Sequence, residues 1–158
     1  MDTFEPGTAP TCTMWQLVEE GLSLGGYRTH DEHGVFVDEG WFHPALVKLA
    51  ERHGLQVGGM AYASTLNVCA AIHAGDLVAA AVTPELGESG RLRQYDGHFV
   101  LVHGFTWQAG RCTSLTLHNP SGRCAALQAN AAIPAERFRA AFAHRFITFR
   151  AAAHPQAR

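Results

Sequence analysis

The chain has 158 residues, of which 47% are hydrophobic and 16% charged, which is typical of a globular protein with a single core. Its net charge is −2 and its basic residues are scattered, which argues against nucleic acid or an anionic membrane as a partner. No apolar run approaches the roughly 20 residues that span a bilayer and no export signal is visible, so we expect a cytoplasmic protein.

Four cysteines are present, and none forms a Cys-x-x-Cys motif: Cys12, Cys69, Cys112 and Cys124. Their wide and irregular spacing favours reduced thiols over a disulfide framework or a zinc site. One of them could therefore be a reactive thiol.

The first helix is predicted from the apolar spacing of Met14 to Leu22, and it should end at Gly25. With Thr11 as the N-cap, Cys12 falls in the first helical turn. Unpaired backbone N–H groups and the helix dipole favour a thiolate there. A buried structural role for Cys12 is the alternative, because unpaired cysteines are often core residues.

The remaining elements alternate between helix and strand. The patterns predict a helix over 41–53, an extended segment from Leu55, and a helix from Ser64 or Thr65 to His73 with Cys69 in the core. An apolar strand over 76–83 follows, and then paired strands over 98–103 and 113–118 that are joined by a loop over 104–112. The last elements are a helix over 133–142 that buries Phe138 and Phe142, and a short closing strand over 146–149. We therefore predict one α+β domain over residues 1–158, with the N-terminal helices packed on an antiparallel sheet.

His98 and Asn119 are predicted to lie at one end of this sheet, because His98 opens one strand of the antiparallel pair and Asn119 closes the other. An asparagine amide oxygen can accept from one ring N–H and leave the other nitrogen as a base. This pattern is typical of a general base with its orienting partner. The alternative is that Asn119 only begins a turn through Gly122.

Other histidines are not expected to join this pair. His103 should point to the opposite face of its strand, and His118 should project away from Asn119. The cluster from His30 to His33 has metal-binding side chains, but four adjacent residues cannot converge on one ion without a dedicated loop. We predict no metal and no cofactor.

The run Gly-His-Phe-Val-Leu-Val-His-Gly over 97–104, followed by a strand that ends in Asn119-Pro120, resembles the papain-like cysteine peptidases of the C39 and C39-like group. In that group the histidine and the Asp or Asn follow a cysteine near the N-terminus. The resemblance implies a papain-like fold over most of the chain. It also implies a catalytic triad of Cys12, His98 and Asn119, with the Cys12 sulfur about 3.5–4.5 Å from a ring nitrogen of His98.

The N-terminal motif can be matched in two registers, because the family opens with Cys-Gly-Pro-Thr-Ser. Matching Pro10-Thr11 places Thr8 at the nucleophile position, whereas matching the helix body places Cys12 there. We favour Cys12, which retains the sulfur. Neither register has the family's upstream glutamine, since Gln16 is the first in the chain, so the Cys12 backbone N–H is the one assignable oxyanion donor.

Two functions remain open at this stage. The first is a cysteine-dependent hydrolase or acyltransferase that acts on a peptide, amide or thioester carbonyl through an acyl-enzyme. The second is a catalytically degenerate papain-like module that binds a peptide in the same groove. The missing glutamine and the missing Gly-Pro after Cys12 favour the second. The partner in either case is a peptide or an acyl-carrying molecule, and the oligomeric state is not predicted.

Overall fold

The computed structural model describes residues 12–27, 29–36, 40–83, 86, 97–120, 122 and 125–151. Several predictions fall outside these ranges, namely those on Thr8, Pro10, Thr11, Ser121, Cys124 and the tail after Ala151. Contacts group the chain into two compact units, residues 1–53 and 54–158, which we describe separately. The single-domain organisation stays a prediction.

The first unit contains helices α1 (Met14–Ser23) and α2 (His43–Arg52). The N-cap of α1 is Thr13, whose hydroxyl accepts from the Gln16 N–H while the Gln16 side chain accepts from the Thr13 N–H. This reciprocal capping starts the helix later than predicted. Cys12 therefore precedes α1 and does not lie in its first turn. The prediction that unpaired N–H groups of this turn favour a Cys12 thiolate is wrong.

Close packing brings the start of α2 against α1. A Cβ on Gly21 would lie 2.6 Å from the Trp41 ring, and one on Gly26 would lie 2.7 Å from the Ala45 Cβ. Only glycine permits such an approach at these two positions. Helix α2 has Pro44 in its first turn and ends at the C-cap His53, as its sequence predicts.

The second unit is built on one antiparallel sheet of six strands. The strands are β1 (Leu55–Ala61), β2 (Leu77–Val82), β3 (His98–Gln108), β4 (Arg111–His118), β5 (Ala131–Pro134) and β6 (Phe142–Ala151). Their order across the sheet is β1-β6-β2-β3-β4-β5. Helices α3 (Thr65–His73), α4 (Ala125–Gln128) and α5 (Ala135–Ala141) complete the unit. The predicted α+β class with an antiparallel sheet is confirmed.

Three strand predictions need correction. The connection between β3 and β4 is the two-residue turn Ala109-Gly110 and not a loop over 104–112, because both residues adopt the left-handed φ that tight hairpins require. Strand β5 was not predicted. Strand β6 has ten residues, where only 146–149 were predicted, and it lies inside the sheet between β1 and β2.

The core of this unit follows alternate residues of β3 and β4. Val100 and Val102 on β3, and Leu115 and Leu117 on β4, are fully buried. The two-residue period of a strand places His98 and Asn119 at the ends of these same buried rows. Hydrophobic packing along both strands therefore fixes where these two polar side chains lie. None of the helices in the described part of the chain is long and apolar enough to cross a bilayer.

Candidate functional site

His98 and Asn119 form a direct hydrogen bond in the second unit. The His98 Nε2 and the Asn119 Oδ1 are 2.8 Å apart. Because an amide oxygen can only accept, Nε2 carries the proton, and in the neutral imidazole Nδ1 is then the basic nitrogen. Asn119 is only 2% exposed and His98 is half-buried, so this bond is partly shielded from solvent. The predicted pairing of the two side chains is therefore present.

Asn119 also begins a turn, so the two interpretations of its role are compatible. The Gly122 N–H donates to the Asn119 carbonyl at 3.1 Å, and the Asn119 N–H donates to the Gln128 carbonyl at 2.8 Å. A Cβ on Gly122 would lie 2.6 Å from the backbone of Leu127, which leaves no room for a larger residue. The turn holds the Asn119 backbone while its side chain holds His98.

Cys12 lies beside a different histidine, within the first unit. Its Sγ is 3.8 Å from the His53 Nδ1, and the His53 Nε2 is 2.9 Å from the Glu20 Oε2. A carboxylate oxygen can only accept, so Nε2 is the protonated nitrogen of neutral His53 and Nδ1 faces the thiol as an acceptor. The three side chains form a thiol, imidazole and carboxylate relay, which we call the Cys12–His53–Glu20 relay.

The carboxylate of this relay is held in its charged form. The Arg52 Nη1 donates to the Glu20 Oε1 at 3.1 Å, while His53 occupies the other oxygen. The hydrogen bonds from His53 and then from Arg52 lower the pKa of Glu20 below its ordinary value of 4.5. Glu20 is therefore ionised at neutral pH and accepts hydrogen bonds from both His53 and Arg52.

In the sequence His53 only ends the helix predicted over 41–53, and nothing there points to a chemical role for His53 or for Glu20. His53 is indeed the C-cap of α2. Its contact with Glu20 joins residues 33 positions apart and depends on how α2 packs on α1, which no local spacing reveals. Since Cys12 belongs to the first unit and the His98–Asn119 pair to the second, the predicted distance between Cys12 and His98 stays a prediction.

Comparison with solved structures identifies the fold. The peptidase domain of Streptococcus ComA, a bifunctional ABC transporter involved in a quorum-sensing pathway, superposes with a TM-score of 0.55 over 89% of this chain and 80% of that one, at 11% identity. The peptidase domain of Streptococcus mutans ComA gives 0.49 over 84% and 91%, at 13% identity. The assignment rests on the first. This is the papain-like fold of that peptidase domain.

At this level of identity the likeness concerns the papain-like fold alone. No family model matches the sequence, and none of the curated proteins matches it either. The resemblance that the His98 strand suggested is thus confirmed for the fold. The chemistry has to be argued from the residues of this chain.

A second pair of histidines lies on β3 and β4 of the papain-like fold. The rings of His103 and His118 stack with centroids 4.6 Å apart, and the His118 Nδ1 accepts from the Asn130 N–H at 3.3 Å. Burial, and to a smaller extent the charge of His118, lowers the pKa of His103. His118 is exposed where its neighbour Asn119 is buried, as the strand alternation predicts.

The loop from His30 to His33 is organised by hydrogen bonds to a carboxylate. The Asp31 Oδ1 accepts from the N–H groups of His33 and Val35, both at 2.9 Å. Across the residues that the structure describes, no three His, Cys, Asp or Glu side chains are close enough to share a metal ion. The absence of a metal and of a cofactor stays a prediction.

Three cysteines are described, and each is reduced: Cys12, Cys69 and Cys112. Cys69 is 4% exposed on α3, as expected for a core residue. Burial, followed by the neighbouring Cys112 thiol, raises the pKa of Cys69 to about 12. Cys69 is therefore unreactive in the folded protein and serves as an internal reference for Cys12.

A groove of about 920 Å³ opens at the hairpin end of β3 and β4, with Trp107, Arg111 and Leu66 among its lining residues. His98 lies at the other end of β3, which has eleven residues and so spans roughly 35 Å. His98 and Asn119 are not among the residues that line this groove.

Proposed function

We propose that this protein is a cysteine-dependent hydrolase or acyltransferase that acts on a peptide, amide or thioester carbonyl. Cys12 is the nucleophile, His98 is the general base and acid, and Asn119 orients His98. The observation that supports this most is the 2.8 Å bond between His98 and Asn119, on a fold similar to that of a peptidase domain. We propose a peptide or an acyl-carrying molecule as the partner, and not nucleic acid or a membrane.

In the proposed reaction the Cys12 thiol gives its proton to an imidazole nitrogen, and the sulfur attacks the substrate carbonyl. The tetrahedral intermediate collapses to an acyl-enzyme, and the imidazolium returns its proton to the departing amine or thiol. Water then releases an acid, or an amine releases an amide. Asn119 keeps Nε2 protonated, so Nδ1 takes part in each proton transfer.

The oxyanion that forms in both steps needs hydrogen-bond donors. The backbone N–H of Cys12 is the donor that we assign, and no glutamine precedes it. Loss of one oxyanion donor typically lowers the rate by roughly 100-fold to 1,000-fold. We therefore expect slow turnover on unactivated amides and faster acylation by thioesters, whose carbonyls are more reactive.

The test is acylation of the full chain by a simple thioester, S-acetyl-N-acetylcysteamine, followed by intact mass and peptide mapping. We expect one acetyl group on Cys12 of the wild type and none at that position in Cys12→Ala. Cys112→Ala is the matched control, because it removes a half-buried thiol far along the chain and should not change Cys12 acylation.

Two outcomes contradict the proposal. Acetylation of Cys12 and Cys112 at equal rates would mean that Cys12 is an ordinary thiol and would favour the degenerate peptide-binding module. Acylation that survives in Cys12→Ala would move the nucleophile elsewhere, and Thr8→Val would then test the other register of the N-terminal motif. Adding an amine acceptor separates hydrolysis from amide formation through the product that appears.

A further inference from the structure

Cys12 has a possible base inside its own unit, and this base is not His98. The His53 Nδ1 is 3.8 Å from the Cys12 sulfur, within the range of a sulfur hydrogen bond. We propose that His53 is a second base for Cys12 and that Glu20 is the residue that positions it. The inference rests on the proposed function only in taking Cys12 as the nucleophile.

The direction of each hydrogen bond supports this assignment. The Glu20 carboxylate accepts from Nε2–H of His53, which leaves the lone pair of the neutral ring on Nδ1, the atom that faces Cys12. The S–H bond breaks and an N–H bond forms on Nδ1. The products are a thiolate and an imidazolium, with no other reactant needed.

Glu20 and the end of helix α2 both lie beside His53. The Glu20 carboxylate is ionised and lies 2.9 Å from the ring, and its other oxygen is held by Arg52. His53 is also the C-cap of the ten-residue helix α2, whose exposed carbonyl groups carry partial negative charge. A proton that passes from Cys12 to the ring therefore arrives next to the carboxylate and the carbonyl end of the helix, while Arg52 holds the carboxylate in place.

The relay is open to small reagents. The side chains of His53 and Glu20 are each 29% exposed. His53 is tied to α2 by its backbone N–H, which donates to the carbonyls of Leu49 and Ala50. A substitution of the ring by glutamine therefore keeps the backbone bonds that end the helix, and its effect reports on the imidazole.

The experiment measures the alkylation rate of each cysteine by iodoacetamide in the folded full chain, at about pH 6.5, near the ordinary pKa of histidine. The sulfur displaces iodide and the thiol proton passes to the imidazole. The variants are His53→Gln, Glu20→Gln and His98→Gln. His33→Gln is the matched control, because His33 also pairs with a glutamate, Glu32 at 3.5 Å, but is 78% exposed in a loop.

We expect His53→Gln to slow Cys12 alkylation about tenfold or more, since the thiolate is the reactive species. His33→Gln should leave the rate unchanged. Glu20→Gln keeps an acceptor for the His53 Nε2–H but removes the charge beside the ring that receives the thiol proton, so it should slow Cys12 alkylation by less than His53→Gln does. A purely structural role of Glu20 would lower the melting temperature and leave the alkylation rate of the folded protein at the wild-type value.

The outcomes separate this inference from the proposed function. Slowing by His53→Gln alone supports the relay and removes His98 as the base for the thiol. Slowing by both His53→Gln and His98→Gln supports both. Slowing by His98→Gln alone, or by neither, overturns the relay. Cys69 must stay unlabelled in every variant, because labelling of this buried thiol reports unfolding.

Discussion

Two histidines of this protein are held in the same way by chemically different partners. In the first unit, His53 donates from Nε2 to the carboxylate of Glu20 at 2.9 Å, and in the second, His98 donates from Nε2 to the amide of Asn119 at 2.8 Å. The carboxylate is charged and partly exposed, whereas the amide is neutral and 2% exposed.

The difference separates two ways of preparing an imidazole. A nearby carboxylate stabilises the protonated ring through its charge, but salt and water weaken this effect at the surface. A buried amide adds no charge, yet it fixes the ring and its tautomer because either partner left alone would lose a buried hydrogen bond. We therefore expect Glu20 to act on His53 mainly through its charge, and Asn119 to act on His98 mainly by fixing the orientation of the ring.

The largest effect should come from His98→Gln on Cys12 acetylation by S-acetyl-N-acetylcysteamine. Loss of a general base typically lowers a rate by roughly 100-fold to 10,000-fold. Glutamine keeps a polar group near Asn119 but cannot exchange a proton at neutral pH. The rate of acetyl transfer to Cys12, followed by intact mass, checks this.

The same assay on His53→Gln sharpens the comparison between the two histidines. If His98 is the base during acylation, His53→Gln should slow acetylation less than His98→Gln does. If His53→Gln instead slows acetylation more than His98→Gln does, His53 is the main base for Cys12 and the His98–Asn119 pair has a structural role. His33→Gln is the control, because it shows how much the acetylation rate changes when an exposed loop histidine is replaced.

The next effect in size should come from Asn119→Ala. Removing the amide leaves the His98 Nε2–H without its buried acceptor, which costs about 1–3 kcal/mol. Transferred in full to the reaction barrier, this cost would lower the rate by roughly 5-fold to 150-fold. Since Asn119 is buried, we also expect a lower melting temperature. Acetylation rate and thermal unfolding are measured on the same preparation.

Asn119→Asp is the control that separates orientation from charge. It restores an acceptor for His98 and makes this pair resemble His53–Glu20, so acetylation should recover relative to Asn119→Ala. An Asn119→Ala variant that melts several degrees lower but acetylates at the wild-type rate would make Asn119 a turn residue only. Its role would then be the turn, in which the Gly122 N–H donates to the Asn119 carbonyl.

The smallest effect should be the pH dependence of stability in Glu20→Gln. The pKa of Glu20 is lowered in the folded protein, so its ionisation stabilises the fold above the ordinary value of 4.5, and this contribution is lost as pH falls through the lowered pKa. The melting temperature of Glu20→Gln should be below that of the wild type at neutral pH. The two should converge in acid.

Thermal unfolding as a function of pH checks this prediction. A constant difference between the two proteins from neutral to acid pH would mean that Glu20 acts through packing or a neutral hydrogen bond. Arg52→Gln is a second test, because Arg52 is the other group that lowers the pKa of Glu20. In this variant the stabilisation by ionised Glu20 should be lost at a higher pH than in the wild type.

The local sequence determined much of the second unit. The apolar run over 76–83, the capping residues Ser64 or Thr65 before a helix to His73, and the composition of the His98 strand each predict the element that forms there. These signals are local, since a capping residue or a two-residue period acts within one element. The placement of His98 beside Asn119 follows from the hairpin, which is itself a local connection.

Two other features have a local sequence signal that fits more than one position, namely the start of α1 and the turn between β3 and β4. Thr13 and Gln16 have the spacing of a reciprocal cap, and this cap starts α1 two residues after the start that Thr11 suggested. The Ala109-Gly110 turn was hidden because an alanine in the left-handed conformation is uncommon. Here the structure selected one of several local possibilities.

The Cys12–His53–Glu20 relay was decided by the tertiary structure alone. Cys12 and His53 are 41 residues apart, and Glu20 of α1 meets His53 at the end of α2 through the packing of the two helices. No spacing in the chain encodes a contact between two helices, since it depends on how their surfaces pack. The sequence predicted the pairing of His98 with Asn119, and the packing of two helices placed His53 beside the Cys12 thiol.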